Sequence, residues 1–422
     1  MRLFTWLQTR TSNLPARARS PRRAAARRFR PRLEMLEDRA LLTAYTAATA
    51  TDLIADINAA NKSNGTNTIM LTAPSTSPYV FLAANNTKDG PTVLPVIQKG
   101  DDLTIITGNG STANPGYLAT LDAAGHGRLF DVASDASLTL EFVRLQNGTV
   151  LGSGVAAEGG AIQNRGTLVL SDSVVVSNDA EGLPGTSSQP NKPGAPGQDA
   201  AGGGIWSSGS LTLENHSVIG NNLAAGGDGG QTQFGTGLGG KALGGGIYVA
   251  GGIALIEASS VLGNRALGGA GDNTLANLGG SAYGGGVYVA AGSVTLDSDT
   301  VGSPSTTGYV SYFTGDEGNS AQGGPSTDYG LPISGTAFGG GLYVAGGTVI
   351  LTGDVIEANV AATKYYNNAI YYVDGYGGGI FIASGATVNL DSYTLANTIG
   401  NIDSSFFGSG STTNIDGKFD EF

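Results

Sequence analysis

Along most of the chain, apolar residues alternate with polar ones in short runs, and the runs recur. Six segments open alike: Gly159-Gly160-Ala161-Ile162, Gly203-Gly204-Ile205-Trp206, Gly245-Gly246-Ile247-Tyr248, Gly285-Gly286-Val287-Tyr288, Gly340-Gly341-Leu342-Tyr343 and Gly378-Gly379-Ile380-Phe381. The anchors Ile162, Ile205, Ile247, Val287, Leu342 and Ile380 lie 43, 42, 40, 55 and 38 residues apart. An alternating stretch follows each opening, such as Leu168/Leu170, Leu211/Leu213 or Val349/Leu351. A third short run then ends at asparagine: Asn178, Asn221, Asn264, Asn359 and Asn397, each 16 or 17 residues past its anchor. The fourth repeat breaks this rule, with Pro304 at the expected place.

A period-two alternation predicts strands whose Val, Ile and Leu point to one side and whose Ser, Thr and Asp point to the other. Three short strands and their turns make a coil that cannot bury its apolar side alone, so neighbouring coils must stack. The expected fold is all-β: a right-handed parallel β-helix, a pectin-lyase-like solenoid of roughly ten coils spaced ~4.8 Å apart. Glycine at the corners admits positive φ and close approach of coils. The recurrent asparagine suits a left-handed turn and a stacked amide ladder. Between each asparagine and the next glycine run lie variable loops, Glu181–Ala201, Ala225–Leu243, Gly268–Tyr283, Ser305–Phe338 and Thr363–Tyr376. They are rich in Gly, Ser, Asn and Pro, read as aperiodic, and serve either as a binding face or as spacers.

The ends read differently. Leu53, Ile54, Ile57 and Ala60 fall at helical spacing within Thr51–Asn61, with Thr51 or Asp52 as cap, so a short helix is expected to plug the first coil. Early strands are expected at Thr68–Leu71, Leu103–Ile106, Leu129–Val132 and Leu138–Phe142. The organisation that follows is a leader over 1–44 and one domain over 45–422. That domain divides into an N-terminal cap and first coils (45–158), the repeat coils (159–401) and a C-terminal cap (402–422).

Composition sharpens this picture. Of 422 residues, 69 are glycine and only 13% are charged, far from an ordinary globular mix and suited to a turn-rich repeat. Eleven of the 22 Lys+Arg lie within Met1–Arg39, with only Glu34, Glu37 and Asp38 opposing them. The remainder holds 11 basic and 31 acidic residues, a net of −20 that repels nucleic acid and anionic lipid. No run reaches the ~18 apolar residues of a membrane span. The absence of cysteine decides nothing about redox compartment.

The basic N-terminal segment reads as a targeting leader. By composition alone it also admits a transit peptide or a nucleic-acid-binding arm. Its run Leu36-Glu37-Asp38-Arg39-Ala40-Leu41-Leu42 resembles the Leu-Glu-Pro-Arg-x-Leu-Leu leader motif of many large exported planctomycete proteins, with Asp38 where proline is common. That resemblance implies export to the cell surface, the outer membrane surface or beyond. The repeats resemble the Gly-Gly-Ala-Ile/Phe-x-x-Asn repeats of polymorphic outer-membrane proteins and related β-helix surface proteins. Gly159-Gly160-Ala161-Ile162 matches literally, and an aliphatic residue replaces the phenylalanine in Val218-Ile219-Gly220-Asn221. The resemblance covers about Gly159–Asn401. It implies an adhesin-like or matrix-associated protein, non-enzymatic, with an extracellular polysaccharide or surface component as partner.

Four chemical readings compete with that one. Parallel β-helices include polysaccharide lyases and glycosidases, which need a base or paired carboxylates. Asp101-Asp102 and Gly125-His126-Gly127 resemble two pieces of the polygalacturonase signature, while its Asn-Thr-Asp and Arg-Ile-Lys pieces are absent. The basic residues beyond the leader show no cluster in sequence. Two histidines and no cysteine exclude a typical zinc site, and His216 reads as an outward polar residue. Calcium is the metal the acidic loops admit, with Asp272 in a single near-match to the glycine-rich calcium nonapeptide. The glycine runs lack the Gly-Lys-Ser/Thr of a phosphate loop and open strands rather than helices. The strongest binding candidate is the residue after each anchor: Trp206, Tyr248, Tyr288, Tyr343 and Phe381. With the anchors pointing in, these point out and align as an aromatic ladder, either a platform for sugar rings or a stack packed on itself.

Overall fold

The computed structural model describes residues 43–63, 65–74, 76–108, 118–153, 156–187, 194–232, 235–271, 279–303, 318–325, 335–363, 375–403 and 414–422. The expected leader lies outside these residues, apart from Thr43 and Ala44, which belong to the first strand, Thr43–Ala47.

The described chain is a parallel β-helix. One coil shows the plan: Thr167–Ser171 on face one, Val174–Val176 on face two, Asp179–Glu181 on face three, Ala200–Ala201 on face four and Ile205–Ser207 on face five. Stacked coils give sheets of 11, 9, 7, 6 and 8 strands on faces one to five. Three of these strands per coil were legible in the sequence. Faces three and four are the additional pair, missed because their strands are mostly two or three residues long, too short for alternation to show.

Faces one, two and five enclose the main core. Leu138, Leu168, Leu211, Ala254, Val294, Val349 and Val388 occupy one column in register. Each is at most 1% exposed. Faces three and four close on a second, thin seam, mostly alanine, that includes Ala180, Ala224, Ala266, Ala282, Ala321 and Ala361. Between main core and seam runs the asparagine ladder. Its rungs are Asn178, Asn222, Asn264, Asn319, Asn359 and Asn401; each Oδ1 from Asn222 to Asn401 accepts from the main-chain N–H and the Nδ2 of the rung before it.

The expected ladder therefore exists, with three changes of membership. Asn221 is an exposed turn residue at φ 51°, and its neighbour Asn222 is the rung. Asn397 is the C-cap of the short helix Ser392–Ala396, and Asn401 is the rung. The fourth repeat does have one, Asn319, displaced along the sequence by an insertion after Ser303. Nor do the rungs themselves adopt positive φ. The preceding residues Ser177, Asn221, Gly263, Ala358 and Gly400 do, at 51–64°; that turn swings the next side chain inward. Each glycine run abuts the ladder. Gly202 needs φ 63°, and a Cβ on Gly203 would sit 2.3 Å from the Gly245 carbonyl oxygen of the next coil.

The helix α1 (Ala50–Ser63) buries Leu53, Ile57 and Ala60 over the first coil. Its cap is Thr49 rather than Thr51 or Asp52. Thr49 Oγ1 accepts from the Asp52 N–H, and Asp52 Oδ2 accepts from the N–H groups of Ala48 and Thr49, a reciprocal capping box. At the other end Ile402–Asp403, Ile415–Asp416 and Asp420–Glu421 add a partial coil on faces three, five and one.

The loops between faces three and four are periodic after all. Glycines recur every third residue at Gly182/Gly185, Gly194/Gly197, Gly226/Gly229, Gly227/Gly230 and Gly237/Gly240. Their N–H groups bond between segments rather than within them. Gly182 donates to Ala225 and Gly185 to Asp228 of the next coil, while Gly230 donates to Ala195 and Gly240 to Gly227 of the facing layer. A three-residue glycine row on the crowded side, with inter-segment bonds, is the pattern of packed polyproline II segments. The described glycine segments between Gly182 and Gly240 form a two-layer lobe continuing faces three and four. Alanine at Gly194 would place its Cβ 1.6 Å from the Gly230 carbonyl oxygen. Gly194→Ala is expected to force the layers apart at a cost of about 2 kcal/mol. Hydrogen exchange should show faster Gly227 and Gly230 amides with face one unchanged; unaltered exchange would refute the tight packing.

Candidate functional site

On face five the anchor points in and the next residue points out: Ile205 and Ser207 are buried while Trp206 between them is half-buried. Register aligns the outward residues Asp131, Gln163, Trp206, Tyr248, Tyr288, Tyr343 and Phe381 in one row. The expected aromatic ladder is present from Trp206 onward. Successive ring centroids lie 6.4, 4.9, 5.0 and 5.4 Å apart with planes within 18° of parallel.

A second row runs beside it on face four, where register aligns Glu158, Ala201, Leu243, Tyr283, Phe338 and Tyr376. Its three rings stack at 5.2 and 5.4 Å. They meet the first ladder edge to face: Tyr283 against Tyr288 at 87° and Tyr343 at 70°, Phe338 against Tyr343 at 63° and Phe381 at 66°. Sequence reasoning missed this row. The readable signal was an aromatic immediately before the last three glycine runs, at Tyr283, Phe338 and Tyr376. Together the rows line the groove where faces four and five meet.

Ring stacking covers part of each aromatic face, leaving the rings half-buried, with Tyr376 40% exposed. Burial raises the phenol pKa of Tyr248, Tyr288 and Tyr343, with smaller contributions from Glu158 for Tyr248 and from neighbouring tyrosines for the other two. The hydroxyls therefore stay neutral donors along the groove.

At its first coils the aromatic rows give way to charge. Arg165 Nη2 lies 2.6 Å from Asp131 Oδ1 and 2.8 Å from Asp89 Oδ2. Arg128 is 2% exposed, and its guanidinium donates to the carbonyls of Asp89, Glu158 and Gly159. Burial lowers its pKa to about 10, so it remains charged at neutral pH. Gln163 Nε2 donates to Glu158 Oε2 at 2.8 Å. Burial raises the carboxyl pKa of both Asp131 and Glu158, opposed in each case by the two arginines. The basic residues that looked scattered in sequence thus converge here, since Arg128 and Arg165 stand on successive coils.

The structure places Asp101 and Asp102 at one depression without His126 in its lining. Adjacent strand residues face opposite ways: Asp101 is 2% exposed with neither carboxylate oxygen hydrogen-bonded, and Asp102 is exposed, accepting from Thr66 Oγ1. Burial and Asp102 together raise Asp101 to about 6. Both border an open depression of ≈ 450 Å³ with Asp135 and Arg165, and His126 is not among its lining residues. His126 is exposed in the turn before Arg128. His216 is exposed in a turn at φ 63°, beside Asp172. Asp272 lies outside the described residues. Among the described residues no group of three or more His, Cys, Asp or Glu could hold a metal ion, and no helix is long and apolar enough to cross a membrane. No protein-family model, curated protein or solved structure matches the chain.

Proposed function

We propose that the protein is an exported, non-enzymatic β-helix of the cell surface or extracellular matrix, adhesin-like, which binds extracellular polysaccharide along the aromatic groove. The double ladder carries this reading. Eight aromatic side chains, partly exposed, run along the helix axis on successive coils. A rise of ~4.8 Å per coil is close to the advance of one sugar unit in an extended polysaccharide. Sugar rings offer apolar C–H patches and hydroxyl edges, and the tyrosine and tryptophan side chains meet both. The acidic domain favours a neutral glycan over a polyanion. Export rests on the leader's resemblance.

Binding to a panel of neutral and acidic polysaccharides, with new reducing ends measured in parallel, tests the reading. Tyr288→Ala combined with Tyr343→Ala is expected to weaken binding about tenfold or more, with the far-UV circular dichroism of the fold retained. Unchanged affinity would remove the groove from the binding face. New reducing ends would overturn the non-enzymatic part and direct attention to Asp89, Asp131 and Arg165, where two carboxylates meet a guanidinium.

A further inference from the structure

We infer that the stacked tyrosines Tyr248, Tyr288 and Tyr343 are a site of oxidative cross-linking, at which a carbon–carbon bond between two neighbouring rings joins successive coils as dityrosine. The inference does not depend on glycan binding and needs only the rings themselves.

Register pairs Tyr248 with Tyr288 and Tyr288 with Tyr343 on adjacent strands of face five. Their ring centroids lie 4.9 and 5.0 Å apart, with planes 10° and 18° from parallel. That separation nearly equals the ~4.8 Å between parallel strands, so each ring is close to a translated copy of the one before it. Like atoms face like atoms, and the carbon ortho to one phenol oxygen faces the matching carbon of the next ring. The three side chains are half-buried rather than enclosed, so the rings can tilt and a small oxidant can reach them.

The neighbouring rings compete poorly. Trp206 stands farther off, 6.4 Å from Tyr248, and Phe381, stacked on Tyr343, has no phenol. Tyr283 meets Tyr288 and Tyr343 edge to face, at 87° and 70°, which does not bring like carbons together.

The reaction balances with hydrogen peroxide as oxidant, acting through a haem peroxidase. Two phenols each give up one electron and one proton, and the two tyrosyl radicals join through their ortho carbons. The hydrogens on the joined carbons then move to the phenol oxygens, which restores both aromatic rings. The two electrons and two protons released reduce one hydrogen peroxide to two waters. Burial keeps the phenols protonated, so each electron lost is accompanied by its proton.

The chain has no cysteine, so no disulfide can staple its coils. A Tyr248–Tyr288 or Tyr288–Tyr343 bond ties together positions 40 or 55 residues apart. A solenoid is held by nearest-neighbour interfaces, and a bond across one of them opposes unzipping at that place.

The test treats the full chain, at low concentration, with a haem peroxidase and hydrogen peroxide. Dityrosine fluorescence and peptide mass spectrometry are then measured on the monomer. Linked peptides carrying Tyr248 with Tyr288, or Tyr288 with Tyr343, are expected, each pair lighter by two hydrogens. Tyr288→Phe keeps a ring in the stack, as Phe381 does, and is expected to cut dityrosine in the monomer about tenfold, because the remaining phenols lose their proximity. Dityrosine that maps only to other tyrosines, or that survives Tyr288→Phe undiminished, would overturn the inference. So would a folded monomer without dityrosine under conditions that couple free tyrosine.

Discussion

Asn264→Leu is expected to destabilise the protein by about 4 kcal/mol, the combined cost of several buried polar groups left without partners. Asn264 Oδ1 accepts from the N–H and Nδ2 of Asn222, and its own Nδ2 donates to the Ile219 carbonyl and to Asn319 Oδ1. Leucine has similar bulk and can satisfy none of these, and no solvent reaches the column, since Asn264 is 0% exposed. It would also press on Gly246, whose Cβ position is already only 2.9 Å from the Asn264 amide. A break in mid-solenoid uncouples the coils on either side, because repeat stability depends on nearest-neighbour interfaces. The control is Asn397→Ala, at the half-buried C-cap of the helix Ser392–Ala396, where a loss of about 1 kcal/mol or less is expected. Urea unfolding of the two variants measures the difference. Similar losses, or tolerance of Asn264→Leu within about 1 kcal/mol, would show that the ladder does not hold the corner.

The contrast between those asparagines marks how far the sequence could be read. Spacing from the glycine run located the corner to within a few residues, because every coil must return to the same place. It could not tell Asn221 from Asn222 or Asn397 from Asn401. That choice depends on which residue takes positive φ, and glycine, serine, alanine and asparagine all fill that position here. Period-two alternation revealed faces one, two and five, where a bulky core enforces it. The alanine seam offers almost no hydrophobic contrast, and the glycine lobe is read in period three. The first aromatic ladder was legible because it follows the repeat anchor directly. Its partner on face four precedes the anchor and begins only at the fourth glycine run. Asp89, the pair Arg128 and Asp131, and the pair Glu158 and Arg165 belong to three successive coils, and only stacking brings them together. For the Asp101–Asp102 pair, the dipeptide suggested two cooperating carboxylates, and the strand buries the first while leaving the second exposed.

A second buried column makes stability depend on pH. Its members are Ser173, Ser217, Ser259, Asp299 and Asp354, each preceding the face-two strand. In the early coils a hydroxyl serves both directions: Ser217 Oγ accepts from the Ser173 N–H and donates to the Leu170 carbonyl. A carboxylate can only accept. Asp299 Oδ1 and Oδ2 accept from the N–H groups of Ser259 and Asp297, and Asp354 Oδ1 accepts from the Asp299 N–H. Asp354 Oδ2 has no partner of good geometry, although the Thr352 amide lies close. Facing the pair are Asp297 on the preceding strand and Asp391 on the following coil, both acidic, with no cation among the influences on either carboxyl. Burial, the largest cause, raises Asp299 to about 8 and Asp354 to about 7, against backbone hydrogen bonds that pull them down. Near neutral pH Asp299 is thus mostly protonated in the fold and Asp354 is partly so. Since the folded state holds these protons more tightly than the unfolded chain does, their contribution is complete below about pH 4. It is lost as the pH rises through about 7 to about 8, the folded values. Asparagine accepts like the carboxylate and donates without titrating. Asp299→Asn combined with Asp354→Asn is therefore expected to gain about 2 kcal/mol over wild type at alkaline pH and little below about pH 4. Thermal unfolding across the two conditions, wild type against the double variant, reads the difference directly. A gain independent of pH would mean that the two carboxyls are already ionised in the fold, and that water or an ion reaches the column from outside.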